Sequence, residues 1–499
     1  MVDVDVLVVG AGPSGLTVAA EVARAGASVL VIEKRTVEPI PRSGTVVPRP
    51  LELFDARGIA ERFIRRNCEI NPHPFQPWHI WAGMAPVDWS RRDSRFGFTL
   101  MLAQSETEEI LRGWAGECGA RFRFEHELVD LAQDADGVRA TVRSADGETS
   151  SVTARYLVAC DGGRSRTREA AGIGMTGHGD TFTGIIATVA LDYPFAAGSR
   201  VGHNEHGWMS IAPFGVGRTR YTIVHAELRH TPRAEPVTIP ELERCTREIL
   251  GVDLPIPELV AASRYGDAMR MADSFRSGRV FLVGEAARVH YPASGVGMNF
   301  CIQDAFNLGW KLAAVARGAA DDALLDSYEP ERRPIAENLF AAVNAQVAVQ
   351  FDFSPRGLAH RKHFAEHFLR RPAVTERLWD ELNGLTAQYP QPEPRPAPVG
   401  YPTPDFEMFL RDGSSVRLYE LLRSHPFVIV DLSGTGALRS LDVDPAVAVV
   451  ADAHAIRRPA SLYGFQALIV RPDTYLAWAS ETPPDPQAVQ AELDRILRP

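Results

Sequence analysis

The strongest constraint on this chain lies at its start, where the apolar run Val6-Leu7-Val8-Val9 breaks into Gly10-Ala11-Gly12-Pro13-Ser14-Gly15 and then into the helix-forming stretch Leu16 to Val22. The order is strand, tight turn, helix. Gly10 permits the turn, Gly12 carries no Cβ to block a pyrophosphate, and Gly15 lets the helix pack closely on the strand with its first amides toward the phosphates. A second strand, residues 28–32, ends on Glu33, 18 positions after Gly15. That is close to the spacing of about 20 at which an acidic side chain accepts hydrogen bonds from an adenosine ribose. A lone glycine motif would be read as a structural turn, but here strand, helix, second strand and terminal acid agree on a dinucleotide site. The carboxylate disfavours a 2′-phosphate, so this site prefers NAD or FAD to NADP.

At 499 residues the chain is expected to divide into several domains. With 45% hydrophobic and 23% charged residues it has the composition of a soluble globular protein, and its net charge of −10 argues against a nucleic-acid partner. The apolar stretches are strand-sized and the first residues lack a basic leader region, which predicts a cytoplasmic protein with no membrane partner. The five cysteines form no CxxC or CxxH pair, so neither a disulfide framework nor a metal site is expected.

Along the chain, Lys34 and Arg35 open a connection that reaches Arg42 and Arg49, whose guanidinium groups suit a phosphate site. Residues 71–102 hold Trp78, Trp81, Trp89, Phe96 and Phe98 among prolines and glycines, the pattern of strands and loops. Those aromatics fit a core better than an open cavity. Helical periodicity returns from Gln104 to Trp114, followed by a three-strand meander from about Phe122 to Ala159. Its last strand runs into Asp161-Gly162, again suited to a phosphate or ribose. Short β runs broken by Gly and Pro over residues 177–274 predict an inserted antiparallel domain, and residues 389–404 read as a Pro-rich, semi-rigid linker. The resulting organisation is an α/β nucleotide-binding domain over 1–176 and 275–388, with the 71–102 excursion joining the inserted domain. A small α/β domain follows over 405–499.

A second constellation decides the nucleotide. The strand Val280 to Val283 ends on Gly284-Glu285, and a loop containing Pro292 and Gly295-Val296-Gly297-Met298-Asn299 precedes a helix expected over Gln303 to Arg317. Glu285 can hydrogen-bond sugar-alcohol hydroxyls, and the loop amides at a helix start stabilise negative charge on a bound ring. A reduced flavin carries such charge and NAD does not. FAD is selected.

With these three motifs in order, the chain resembles the FAD-dependent aromatic hydroxylases of the p-hydroxybenzoate hydroxylase type. It is most similar to the subgroup that tailors aromatic polyketides and carries a C-terminal thioredoxin-like domain. The resemblance implies a Rossmann-like FAD-binding domain, an inserted antiparallel β-sheet substrate domain and a thioredoxin-like ending, to which Val470-Arg471-Pro472-Asp473 and Trp478 are similar. It implies FAD contacts by Gly10, Gly12, Pro13, Ser14, Gly15, Glu33, Lys34, Arg42 and Gln104, backbone of Leu128 at the adenine, and Asp161-Gly162 at FAD and NADPH. Gly284, Glu285, Pro292 and residues 295–299 would surround the ribityl chain and isoalloxazine. The implied reaction has NADPH or NADH reduce the flavin, O2 add at its C4a position, and oxygen pass to a polycyclic aromatic substrate in antibiotic or secondary-metabolite biosynthesis. No second GxGxxG exists for the nicotinamide, so the hydride donor would dock transiently. A Baeyer–Villiger or ring-rearranging oxidation is the alternative, and a nucleotide sensor without turnover the reading from another class. No single catalytic side chain is expected; the loop of Pro292, Gly295 and Gly297 is the pocket wall. The chain departs from the family pattern at Glu285, Arg288 and Val296, and a monomer or homodimer is expected.

Overall fold

The computed structural model describes residues 2–36, 43–71, 73–89, 94–195, 199–391, 395, 397–457 and 459–499. Its centre is a sheet in which Val4–Val9 pairs in parallel with Val29–Glu33 on one side and Thr149–Ala159 on the other, with Val8 opposite both Val31 and Val158. Val280–Leu282 extends it beyond Thr149–Ala159, and Arg121–Phe124 beyond Val29–Glu33, both in parallel. Strands buried on both faces require near-continuous apolar runs, which Val6 to Val9 supplies. Because the strands share one direction, Gly10, Glu33, Cys160-Asp161 and Gly284-Glu285 all emerge at the same carboxyl edge. Ligands of open α/β sheets bind at that edge.

The meander differs from its sequence reading. Arg121–Phe124 is a separate strand of the parallel sheet, while His126–Gln133, Val138–Ser144 and Thr149–Ala159 form the antiparallel run. Its two turns fall at Asp136-Gly137 and Asp146-Gly147. Hairpin signals mark the turns but not which edge a preceding strand joins.

The inserted sheet is antiparallel throughout. Its order is Arg200–Asn204, Gly207–Pro213, Thr219–His225, Thr183–Val189 and Leu259–Gly266. Ile185, Met209, Ile211 and Ile223 pack on one side with Leu242 and Ile249 of the helix Ile239–Leu250. That helix begins on a Thr238 hydroxyl accepting from the Glu241 amide and ends on Gly251 in the left-handed region, φ +68°.

The C-terminal unit is a mixed six-stranded sheet. Phe427–Asp431 runs parallel to Ala448–Ile456 and antiparallel to Ala467–Val470, which turns into Leu476–Ser480. The Pro-rich stretch before it is not a free spacer. Tyr389 is buried and stacks on Tyr475 with ring centroids 3.8 Å apart, and the Gly400 amide donates to the Leu476 carbonyl.

The turn after Val470 is driven into the rest of the molecule. Arg471 donates two hydrogen bonds to Glu331, at 2.6 and 2.9 Å, and two to Asp473, at 3.0 and 2.7 Å. Glu331, on the helix Tyr328–Gln350, also accepts from Lys311 and Asn307 of the helix Gly297–Ala316, both at 2.6 Å. Arg57 holds Glu21 at 2.6 and 2.7 Å and donates to the Pro472 carbonyl. Arg49 reaches the Asp473 carbonyl and the Thr474 hydroxyl. All these ions are buried, so each depends on its partners for the solvation it has lost.

Burial by itself would raise the Glu331 carboxyl, but the Arg471 and Lys311 charges overcome it and hold the group well below the usual carboxylate range. Its folded value therefore lies below its unfolded value, near 4.5. The associated stability is present above that pH and is lost as pH falls through the folded value. Arg471→Met strands two carboxylates, and urea unfolding at neutral pH is expected to show a loss of about 3–5 kcal/mol. Acidification below about pH 4.5 should narrow the gap between variant and parent, since the carboxylates are then neutralised in the unfolded chain. A gap that is unchanged or wider in acid would refute this account of the network.

Candidate flavin site

The glycine turn forms as its spacing requires. Gly10 sits at φ +106°, and a Cβ there would overlap the Cys160 carbonyl. A Cβ on Gly15 would overlap the Gly10 carbonyl, so Gly15 sets the closeness of helix to strand. At Gly12 the nearest heavy atom to such a Cβ is Glu108 Oε1, 3.9 Å away. Two glycines are thus demanded by the fold, while the third faces open space, as a cradle for a phosphate would. The helix Pro13–Arg24 begins with proline at its first position and no side-chain cap, and Ser14 is half-buried behind the turn.

Glu33 ends its strand beside that turn. Its Oε2 accepts from the Ala11 amide at 2.9 Å, and its Oε1 from the Arg35 amide and Nε, both at 3.0 Å. Burial would raise this carboxyl, but the Arg35 hydrogen bond and charge together with the Ala11 amide bring it below the ordinary range. An ionised acceptor therefore borders an open cleft lined also by Ala11, Arg35, Glu108, Arg112 and Phe124. The helix Gln104–Glu117 forms the opposite wall. Gln104 donates to Glu108 at 2.7 Å and accepts from the Ser43 amide at 3.3 Å. Lys34 is exposed next to Glu33.

Other expected residues serve the scaffold with their side chains. Asp161 accepts from the Ser165 hydroxyl and from the Thr167 amide and hydroxyl, at 3.1 and 2.9 Å, which organises the turn into the helix Arg166–Ala170. Gly162, at φ +82°, has open space where a Cβ would stand. The Leu128 side chain lies in the core, leaving only its backbone for a ligand. Arg42 lies outside the described residues.

At the far strand end, Gly284 has φ +65° and a Cβ there would press on Ser14 Oγ. Glu285 is exposed on the short 3-10 turn Gly284–Ala286. The following helix begins at Gly297, six residues before the sequence reading, with no side-chain cap and no acid in its first turn. Glycines at 295 and 297 hide that start from periodicity. Pro292 is exposed, and Gly295, at φ +67°, gives its carbonyl to the Thr45 hydroxyl at 2.9 Å. Val296 and Met298 are buried. The Asn299 amide group is engaged at both atoms: its Oδ1 accepts from Val47 N at 3.0 Å and its Nδ2 donates to the Thr45 carbonyl at 3.1 Å. The Asn299 backbone is engaged as well, its amide donating to the Val296 carbonyl at 2.9 Å and its carbonyl accepting from Gln303 at 3.3 Å. Arg288 is buried in an ion pair with Asp304, which also binds Arg332 at 2.7 Å, so this departure from the family pattern belongs to the interior scaffold.

The aromatics of 78–98 are chiefly core. Trp89 is fully buried, stacked on His79 at 5.5 Å and edge-on to Trp379 at 6.1 Å, while Trp81 packs on Phe364. Arg35, Glu108 and Arg112 at the cleft were missed in the sequence reading, although two of them lie one helical turn apart on the Gln104 helix. Thr45, His79 and Gln346, which hold the Pro292–Gly297 loop, have no sequence signature.

These features fit FAD on structural grounds: an open glycine cradle, an ionised carboxylate on a cleft, and a second uncapped helix start, all at one sheet edge. Comparison with known proteins agrees. Residues 3–343 match the FAD binding domain family, and residues 397–499 match the aromatic-ring hydroxylase C-terminal family. The chain is 33% identical to an uncharacterised aromatic compound monooxygenase of Bacillus subtilis, covering 99% of this chain and 98% of that protein. It is 34% identical to the 12-dehydrotetracycline 5-monooxygenase/anhydrotetracycline 6-monooxygenase of Streptomyces rimosus, over 95% of each. Aklavinone-11 hydroxylase, solved in a ternary complex with FAD and aklavinone, superposes with a TM-score of 0.79 at 26% identity, over 100% of this chain and 99% of that one. With both halves matched and relatives aligned from end to end, the chain belongs to the FAD-dependent aromatic-ring hydroxylases, a family of flavoprotein monooxygenases.

Proposed function

We propose that this monooxygenase oxygenates a fused-ring aromatic substrate of the polyketide kind in secondary metabolism, drawing hydride from NADPH or NADH. The observation that carries the reading is the whole-length likeness to enzymes named for tetracycline intermediates and for aklavinone. It is joined to a cofactor edge whose open glycine and acid suit FAD. When bound and reduced, FAD supplies activation of O2. The chain's own residues then have three tasks.

Gly12 and the first turn of its helix accept the pyrophosphate, and Glu33 orients the ribose. The backbone of the Pro292–Gly297 loop borders the ring. Around that loop Tyr291, Ala293 and Val296 join Trp81, Trp89 and Phe182 in one apolar cluster, which keeps bulk water from the reacting edge. An electron-rich phenol needs little acid–base help, so dryness and orientation are the main contributions of the protein.

Two outcomes are expected. Gly12→Val places its side chain in open space at an extended backbone position, φ −75° and ψ 178°, and should leave thermal unfolding of the FAD-free protein within about 0.5 kcal/mol of the parent. FAD affinity, read by flavin fluorescence titration, should fall at least about 100-fold, roughly 3 kcal/mol. Gly10→Ala should instead lower the unfolding temperature itself. Undiminished FAD binding by the Gly12 variant would refute the cradle.

The substrate class is tested by incubating the yellow holoenzyme with NADPH and a panel of anthracycline-, tetracycline- and angucycline-like phenols under 18O2. Mass spectrometry should find one 18O atom per product molecule. A ring-opened or lactone product with the same label would point to Baeyer–Villiger chemistry, and turnover confined to monocyclic phenols would overturn the fused-ring reading.

A further inference from the structure

The loop that borders the flavin site contains a conformation that its own sequence does not favour. Ser294 has φ +53° and ψ 9°, and Gly295 follows at φ +67°. The glycine is at ease there; a serine in the left-handed region is strained and persists only if its surroundings impose it. Two buried side chains do so. His79 Nε2 donates to the Ser294 carbonyl at 2.7 Å, and the Ser294 hydroxyl donates to Gln346 Oε1, also at 2.7 Å.

The same Gln346 oxygen accepts from the Ala82 amide at 2.9 Å. Ala82 is itself left-handed, φ +48°, in the turn between Trp78–Trp81 and Met84–Asp88. One oxygen on the helix Tyr328–Gln350 thus fastens two strained residues, one in the loop and one in the hairpin that carries His79. Burial pulls His79 down to about 4, leaving a neutral ring whose Nε2 must keep its proton to serve a carbonyl. Stacking on Trp89 sets the plane of that ring.

We infer that His79 and Gln346 are positioning residues: by holding Ser294 from its carbonyl and its hydroxyl, they impose the shape of the Pro292–Gly297 loop. The inference rests on the reading of this loop as the flavin border. It adds that the loop is preorganised from behind by residues that never reach the ring. The conformation therefore exists before FAD arrives.

Hydrogen exchange read by mass spectrometry on peptides covering 292–299, in both FAD-free and FAD-loaded protein, tests this. Gln346→Leu and His79→Phe should speed exchange of the loop amides about tenfold in the FAD-free protein. Gln346→Glu, which keeps an acceptor, and His79→Gln, which keeps an N–H donor, should stay close to the parent. Ser294→Ala removes only the hydroxyl and should show an intermediate increase. In FAD-loaded protein, the two disruptive variants should make less oxygenated product per NADPH consumed, with hydrogen peroxide making up the difference.

Unchanged loop exchange in folded Gln346→Leu and His79→Phe would overturn the inference. If those variants do not fold, unchanged exchange in Ser294→Ala overturns it instead. Failure of the loop reading is seen separately, as exchange at 292–299 in the parent that FAD does not slow.

Discussion

Glu331 is the point at which three parts of the chain are tied. Its two oxygens take hydrogen bonds from Arg471 of the C-terminal turn and from Asn307 and Lys311 of the long helix that starts at Gly297. A carboxylate in this position is expensive unless every lone pair is used, and breaking one contact leaves a charge that neither water nor the interior can accommodate. The next residue, Arg332, carries the connection further, through Asp304 to Arg288 and through the Tyr389 hydroxyl to the Pro-rich stretch. The orientation of the Gly297–Ala316 helix is thus set partly by Arg471 of the C-terminal unit.

This gives the C-terminal unit a physical reason to be present although it carries no cysteine. Its cysteine-free sheet supplies Arg471 and Asp473 in a rigid turn, with Thr474 at φ +67°, and Trp310 of the long helix packs edge-on against Phe427. The site itself is a division of labour. The space a Cβ would fill at Gly12 is left open, while the side chains of Asp161, Asn299 and Ser294 are spent on holding the surrounding backbone in place.

Much of this was legible in the sequence because it is local. The Gly10–Gly15 turn, Glu33, the strand into Asp161 and the Gly284-Glu285 end all follow from short-range pattern and lie together at one edge, since parallel strands leave no other arrangement. What could not be read are contacts between residues distant in sequence. His79 meets Ser294 across 215 positions and Gln346 meets Ala82 across 264, and neither pairing leaves a periodicity or a spacing. Glycine suppresses helical pattern, so periodicity places the start of the Gly297 helix too late, and β propensity alone does not name the sheet that Arg121–Phe124 joins. The Pro-rich stretch looked like a spacer from composition, and only the stacking of Tyr389 on Tyr475 shows it to be part of the packing.

The placement of Arg471 also has a consequence for how the protein is made. The central sheet lacks its Val280–Leu282 strand until well over half the chain exists, and Glu331 then waits for a partner 140 residues downstream. At about 5–20 residues per second, that is roughly seven to thirty seconds of synthesis during which the carboxylate lacks its final company. Until that turn is made, Glu331 has only its Asn307 and Lys311 contacts, and its set of partners is complete only once Arg471 has been added.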